Sequence, residues 1–145
     1  MTQQFNPLLH IVNLEGKLAD GVNDGTGGVF SDIRGRSGVR AAMPNGVAIG
    51  VDLIEMAAGT AFEPHTHSGA HVLVVREGRG SIAIDGIDYP LREGDSVYVP
   101  ADYAHGVSAG SDSGMLFIAF GVPHLPISSP DRMTLVKPEP VRRTG

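Results

Sequence analysis

The chain has no cysteine. That excludes a disulfide framework and any thiolate site, catalytic or metal-binding. No apolar run is long enough to cross a membrane, and the start, Met1-Thr2-Gln3-Gln4-Phe5-Asn6-Pro7, lacks an apolar leader core. A basic stripe is missing too. The formal charge is -5, and Arg142-Arg143 is too short a run to track a nucleic-acid backbone. Helical periodicity is scarce. Together these absences predict a cytoplasmic protein with no nucleic-acid and no membrane partner, built from strands.

What is present fits that outline. The 145 residues suit a single domain, 1–145. Twenty glycines and ten prolines are spread along the chain, which places turns between short strands rather than one flexible segment. Strands are expected over Val47–Met56, Val72–Arg76, Ser81–Asp85, Ile87–Leu91, Ser96–Val99 and Met115–Phe120. Asp85-Gly86 between two of them is a hairpin turn signal. Short, regularly spaced strands indicate an antiparallel sandwich or barrel.

The barrel core is read as about 47–120. The N-terminal part, 1–46, is less regular. Leu8–Leu14, Val29–Ile33 and Val39–Ala42 are its candidate strands, with a glycine- and aspartate-rich loop over Gly16–Gly28. The C-terminal extension, 121–145, carries Pro123, Pro126 and Pro130. It is expected to run extended over the surface, with a last strand over Met133–Val136 and a frayed tail over Lys137–Gly145.

Four of the six histidines carry the chemical signal. His65 and His67 are two apart, which in a strand puts both side chains on one face. His71 follows at an even step, and His105 stands in a second glycine- and proline-marked segment. Neutral imidazole is the commonest metal ligand, so His65, His67, His71 and His105 are the candidate metal ligands. Other residues invite a role, each with a plainer reading beside it. Tyr103 could reach a pocket mouth but reads better as a rim packing residue. Glu63 could act as acid or base, or simply face solvent. Phe120 and Tyr98 are explained by core packing, and His124 by a place on the surface. Asp85, Asp88 and Glu93 read as solvated turn residues.

The two histidine segments resemble the two motifs of the cupin superfamily. In the first, Gly59, His65, His67 and Gly78 fall in place, and His71 takes the position of the family's glutamate. In the second, Gly94, Pro100 and His105 match, while Asp102 replaces a glycine and Ala109 an asparagine. The resemblance covers roughly residues 47–120. It implies an all-β double-stranded β-helix, the cupin jelly-roll barrel, with a metal inside one end. The replacement of the glutamate by His71 implies a four-histidine site, as in some small single-domain cupins.

Four imidazoles bring no charge to a divalent ion, so an anion is favoured in an open position. One divalent transition metal per chain is expected: Mn, Fe, Ni, Co or Zn, with Mn or Fe favoured. Six-coordinate ions would keep two positions open. The leading functional expectation is a metal-dependent enzyme, a dioxygenase-type oxidoreductase acting on a small oxygen-rich organic anion. Two alternatives stand beside it. One is a non-enzymatic module that binds a small ligand or the metal. The other is a lyase or isomerase using the metal as a Lewis acid on a sugar or keto acid. General acid and base residues are not assigned. The resemblance implies a homodimer, since small single-barrel cupins commonly pair their sheets. Phe5, Leu8, Leu9, Ile11, Val12 and Leu14 also need a surface to cover, which is either a partner or the chain's own barrel.

Overall fold

The structure is a computed structural model that describes residues 4–136. A four-residue helix, α1 (Pro7–His10), is followed by ten strands. These are β1 (Asp20–Asn23), β2 (Val29–Ala42), β3 (Ala48–Met56), β4 (Ala61–Thr66), β5 (Ala70–Ile84), β6 (Ile87–Arg92), β7 (Ser96–Val99), β8 (His105–Ala109), β9 (Met115–Val122) and β10 (Thr134–Leu135). All pair antiparallel. The result is the cupin jelly-roll barrel expected from the motifs.

One strand belongs to both walls. The first half of β5 pairs with β9 and β7, and its second half with β6 and β8. The ladder with β9 shifts register between Val75 and Glu77, and Gly78 follows with a φ of 78°. A Cβ there would lie 1.9 Å from the Gly114 carbonyl oxygen, so only glycine lets the strand turn against β9. The two strands expected over Val72–Arg76 and Ser81–Asp85 are therefore one, because Gly78 bends the strand without ending it. Asp85 and Gly86 both take positive φ, 53° and 77°, as the hairpin signal required.

Period-two burial fills the barrel. Ile54, Met56, Leu73, Val75, Ile82, Val107, Phe117 and Ala119 face inward and are buried. The rings of Phe30 on β2 and Phe62 on β4 meet edge to face at 5.0 Å, joining strands from different walls. The opposite faces are wetter than expected. Tyr98 and Phe120 do not pack in the core. They flank Val72 on the outside of the barrel, 66% and 42% exposed.

Other departures lie at the two ends of the chain. Leu8–Leu14 is not a strand. Asn6 caps α1 with its side chain, accepting from the Leu8 N–H, and Pro7 takes the first helical turn. Val29–Ile33 and Val39–Ala42 merge into β2 through a bulge between Ser37 and Arg40. The loop expected over Gly16–Gly28 contains β1, whose Val22 is fully buried.

The C-terminal extension is not a surface strip. Ile127 and Met133 are buried, at 1% and 5% exposure. The segment is pinned by the His124 N–H to the Ala48 carbonyl and the Asn23 N–H to the Ile127 carbonyl. It then pairs as β10 with β4 at His65 and Thr66. It thus straps across the barrel end where the histidines lie. The tail expected over Lys137–Gly145 lies outside the described residues.

Candidate metal centre

The register brings the histidines together from distant parts of the chain. His65 on β4 is the cross-strand partner of His105 on β8. His67 follows β4 directly, and its carbonyl accepts from the Asp102 N–H at 2.8 Å, which ties the turn before β8 to this loop. Asp102 has a φ of 59°. It holds the left-handed conformation that a glycine would otherwise supply, which aspartate tolerates better than most residues.

Three backbone carbonyls set the chemistry. The Nδ1 of His65 meets the Glu63 carbonyl at 2.7 Å, that of His67 the Gly69 carbonyl at 2.7 Å, and that of His105 the Tyr103 carbonyl at 2.8 Å. A carbonyl can only accept, so each Nδ1 carries the proton and donates. Each Nε2 is then left with a bare lone pair. The Nε2 atoms of His67 and His105 approach to 3.2 Å. No proton remains for them to share. Among the described residues, ring nitrogens of His65, His67 and His105 all lie within 4.8 Å of one another. Converging lone pairs on buried imidazoles repel, and a cation between them turns that repulsion into ligation. The donor set therefore fits a divalent metal.

His71 stands beside this group. Its ring lies 4.1 Å from that of His67, tilted by 38°, and lines the same cavity. Its nitrogens are not among the three that converge. Its Nε2 faces the backbone of Gly121, where a Cβ would come within 3.0 Å.

Burial governs the protonation of all four. It pushes His65 down to about 3, with help from the neighbouring His105 charge. Burial likewise takes His67 to about 4 and His71 to about 2, and lowers His105. All are neutral, ligand-ready imidazoles at neutral pH.

The cavity has a volume of about 40 Å³ and apolar walls that include Ile54, Phe62, Leu73, Phe117 and Met133. Among the described residues one charged side chain lines it, Arg132 from the C-terminal strap. Behind Arg132 is a buried polar cluster that sequence reasoning missed. Asp52 on β3 is 1% exposed and accepts from Arg132 NH1 at 3.3 Å and from His124 Nε2 at 2.8 Å. Arg40 Nε donates to His124 Nδ1 at 3.2 Å. His124 is thus an interior residue, 5% exposed and outside the converging group. Its ring lies over Gly50, where a Cβ would come within 2.5 Å. Burial lowers the Arg132 pKa, and Asp52 opposes that.

The other candidates take modest places. Tyr103 is 39% exposed and donates its phenol proton to Asp85 at 2.7 Å, which raises its pKa. Glu63 is exposed and serves His65 through its backbone carbonyl.

Comparison with known proteins agrees with the fold. Residues 52–121 match the model of the Cupin domain family. The chain is 30% identical over 102 residues to the dimethylsulfoniopropionate lyase DddW of Ruegeria pomeroyi. That match covers 69% of this chain and 64% of the relative, less than two-thirds of the relative's length. Among solved structures, the polyketide cyclase RemF of Streptomyces resistomycificus superposes with a TM-score of 0.63 at 16% identity, over 96% of this chain and 88% of that one. A cupin 2 conserved barrel protein of Rhodopseudomonas palustris gives a TM-score of 0.63 at 19% identity, over 84% and 79%. At these identities the structures speak for the fold alone.

Replacing His67 and His105 together by alanine is expected to abolish stoichiometric metal, read by elemental analysis of untagged protein. One metal per chain in that variant would place the ion elsewhere. A second expectation concerns acid. The unfolded chain takes up protons on these histidines near 6.5, while the fold keeps His65 and His67 neutral to about 3 and about 4. Below 6.5 the unfolded state therefore binds more protons, and the metal-free fold loses stability as pH falls. The urea midpoint of chelator-treated protein should drop from about pH 7 to about pH 5. An unchanged midpoint would show that the rings are not held neutral by burial.

Proposed function

We propose that the chain is a metal-dependent enzyme acting on a small organic anion at the His65–His67–His105 cluster. The observation that carries this reading is the convergence of ring nitrogens of His65, His67 and His105, whose Nδ1 protons are all donated to carbonyls, in a cavity that Arg132 also lines. A divalent ion bound there supplies Lewis-acid polarisation and, if redox-active, electron-transfer chemistry. The chain's own residues do the rest. Three carbonyls orient the ligands, apolar walls exclude water, and Arg132 attracts negative charge into the cavity.

His71 is read as the fourth ligand or its close neighbour. Its ring lies 4.1 Å from that of His67 and lines the same cavity. The neutral ligand set leaves the full charge of the ion to be met by an anion.

Two reactions suit such a centre. The dioxygenase expected from the sequence needs a redox-active ion. A lyase needs only the Lewis acid, and the activity named for the R. pomeroyi relative favours it. Oxygen uptake during turnover decides between them. We also read the exposed apolar residues Phe5, Leu8, Leu9 and Ile11 as part of a homodimer contact. Sedimentation giving only a monomer at about ten micromolar or more would reject that reading.

His71→Glu is expected to leave about one metal per chain while altering the metal's spectrum and weakening anion binding, since the carboxylate adds negative charge to the shell. An unaltered spectrum and unaltered anion affinity would remove His71 from the ligand set. If metal-loaded protein turned over no small organic anion, with or without oxygen, the enzymatic reading would give way to a binding module.

A further inference from the structure

Arg132 is the one charged side chain that lines the histidine cavity among the described residues. Its side chain is 12% exposed. A buried guanidinium needs its donors satisfied, and five N–H groups are available. Asp52 takes one of them, through a single contact at 3.3 Å to NH1. Among the described residues, Nε and NH2 have no hydrogen-bond partner. A pair of donors that matches a carboxylate is therefore unclaimed on a side chain that lines the cavity.

The surroundings hold this arrangement in place. Asp52 is committed to His124 and Arg132 through one oxygen. Arg40 donates to His124 Nδ1, which makes His124 the Nε2–H tautomer and so neutral. Within the barrel, Asp52 and Arg132 cancel, and the imidazoles add no charge. Among the described residues, no acidic side chain lines the cavity to neutralise an ion at the histidines. A carboxylate entering the cavity would complete the Arg132 fork and lower the net positive charge together. About 40 Å³ is room for roughly three waters, so the ligand is short.

We propose that Arg132 is the carboxylate-binding residue of this cavity, and that the substrate is a short-chain organic acid. It is held by its carboxylate on the guanidinium, with its reacting end toward the histidines. This rests on the reading of His65, His67 and His105 as the metal centre. Asp52 acts through Arg132 as a positioning residue.

Calorimetric titration with propanoate and with its neutral isostere propanamide tests the assignment, on metal-loaded and on metal-free protein. The wild type is expected to prefer propanoate by about tenfold or more in both forms, because a charge-assisted pair exceeds a neutral hydrogen bond. Arg132→Gln alone would strand the Asp52 charge and could unfold the barrel, so the informative variant is Asp52→Asn with Arg132→Gln. It should keep its metal content and lose the preference in the metal-free form. Arg132→Lys should retain part of it. A propanoate preference that survives in the metal-free double variant, or is missing from metal-free wild type, would overturn the proposal and put the carboxylate on the metal. If the wild type takes up no metal at all, the metal reading fails separately. The metal-free titration still decides the role of Arg132.

Discussion

Three hydrogen bonds from histidine Nδ1 atoms to backbone carbonyls organise the site. The acceptors are Glu63, Gly69 and Tyr103, each two residues from the histidine it holds. The contact is local, so the ring orientation is set by the course of the chain at that point. The side chains at the accepting positions are free of that duty. This explains how an exposed Glu63 and a rim Tyr103 stand beside the centre without being drawn into it. The tautomer follows, and with it the direction of every lone pair. The β4–β8 register then has only to place His65 opposite His105 for the three lone pairs to meet.

Much of this was legible in the sequence because the governing rules are short-range. An even spacing puts His65 and His67 on one side, and Asp85-Gly86 forms the hairpin that its backbone preference dictates. Glycines mark the places where the barrel crowds. Gly50 and Gly121 are cross-strand partners on β3 and β9, and the rings of His71 and His124 occupy the space their side chains would fill. Read together, two glycines inside apolar strands signal close approach by something bulky.

The polar cluster behind the cavity was not legible, for a physical reason. Arg132 and Asp52 are eighty positions apart in the chain, and His124 and Asp52 seventy-two. Each looks ordinary where it stands: an arginine and a histidine in proline-rich stretches, an aspartate in a strand. The one available signal was parity. Asp52 shares the inward phase of Gly50, Ile54 and Met56, so period two buries a carboxylate in the barrel. A buried carboxylate requires a cation or donors, and the extension after β9 was the part of the chain still unplaced. The same extension was read as a surface strip because its prolines exclude regular ladders. They do not exclude burial, and Ile127, Met133 and Arg132 use irregular backbone to reach inside.

The identity of residue 71 bears on this arrangement. The resemblance to cupins puts a glutamate there, and this chain has a histidine on the wall of the cavity that Arg132 also lines. A carboxylate at that position would face a guanidinium whose donors are largely unspent. It would compete for them, closing the fork against a ligand and leaving Asp52 with a weaker hold on Arg132. A neutral imidazole makes no such claim. Its ring lies against that of His67, 4.1 Å away and tilted, and stays uncharged because burial depresses its pKa to about 2. The histidine at 71 thus leaves the Arg132 donors unclaimed, where a glutamate would compete for them. On the proposed reading, a neutral ligand shell leaves Arg132, the one charged residue lining the cavity among the described residues, for a ligand that arrives from outside.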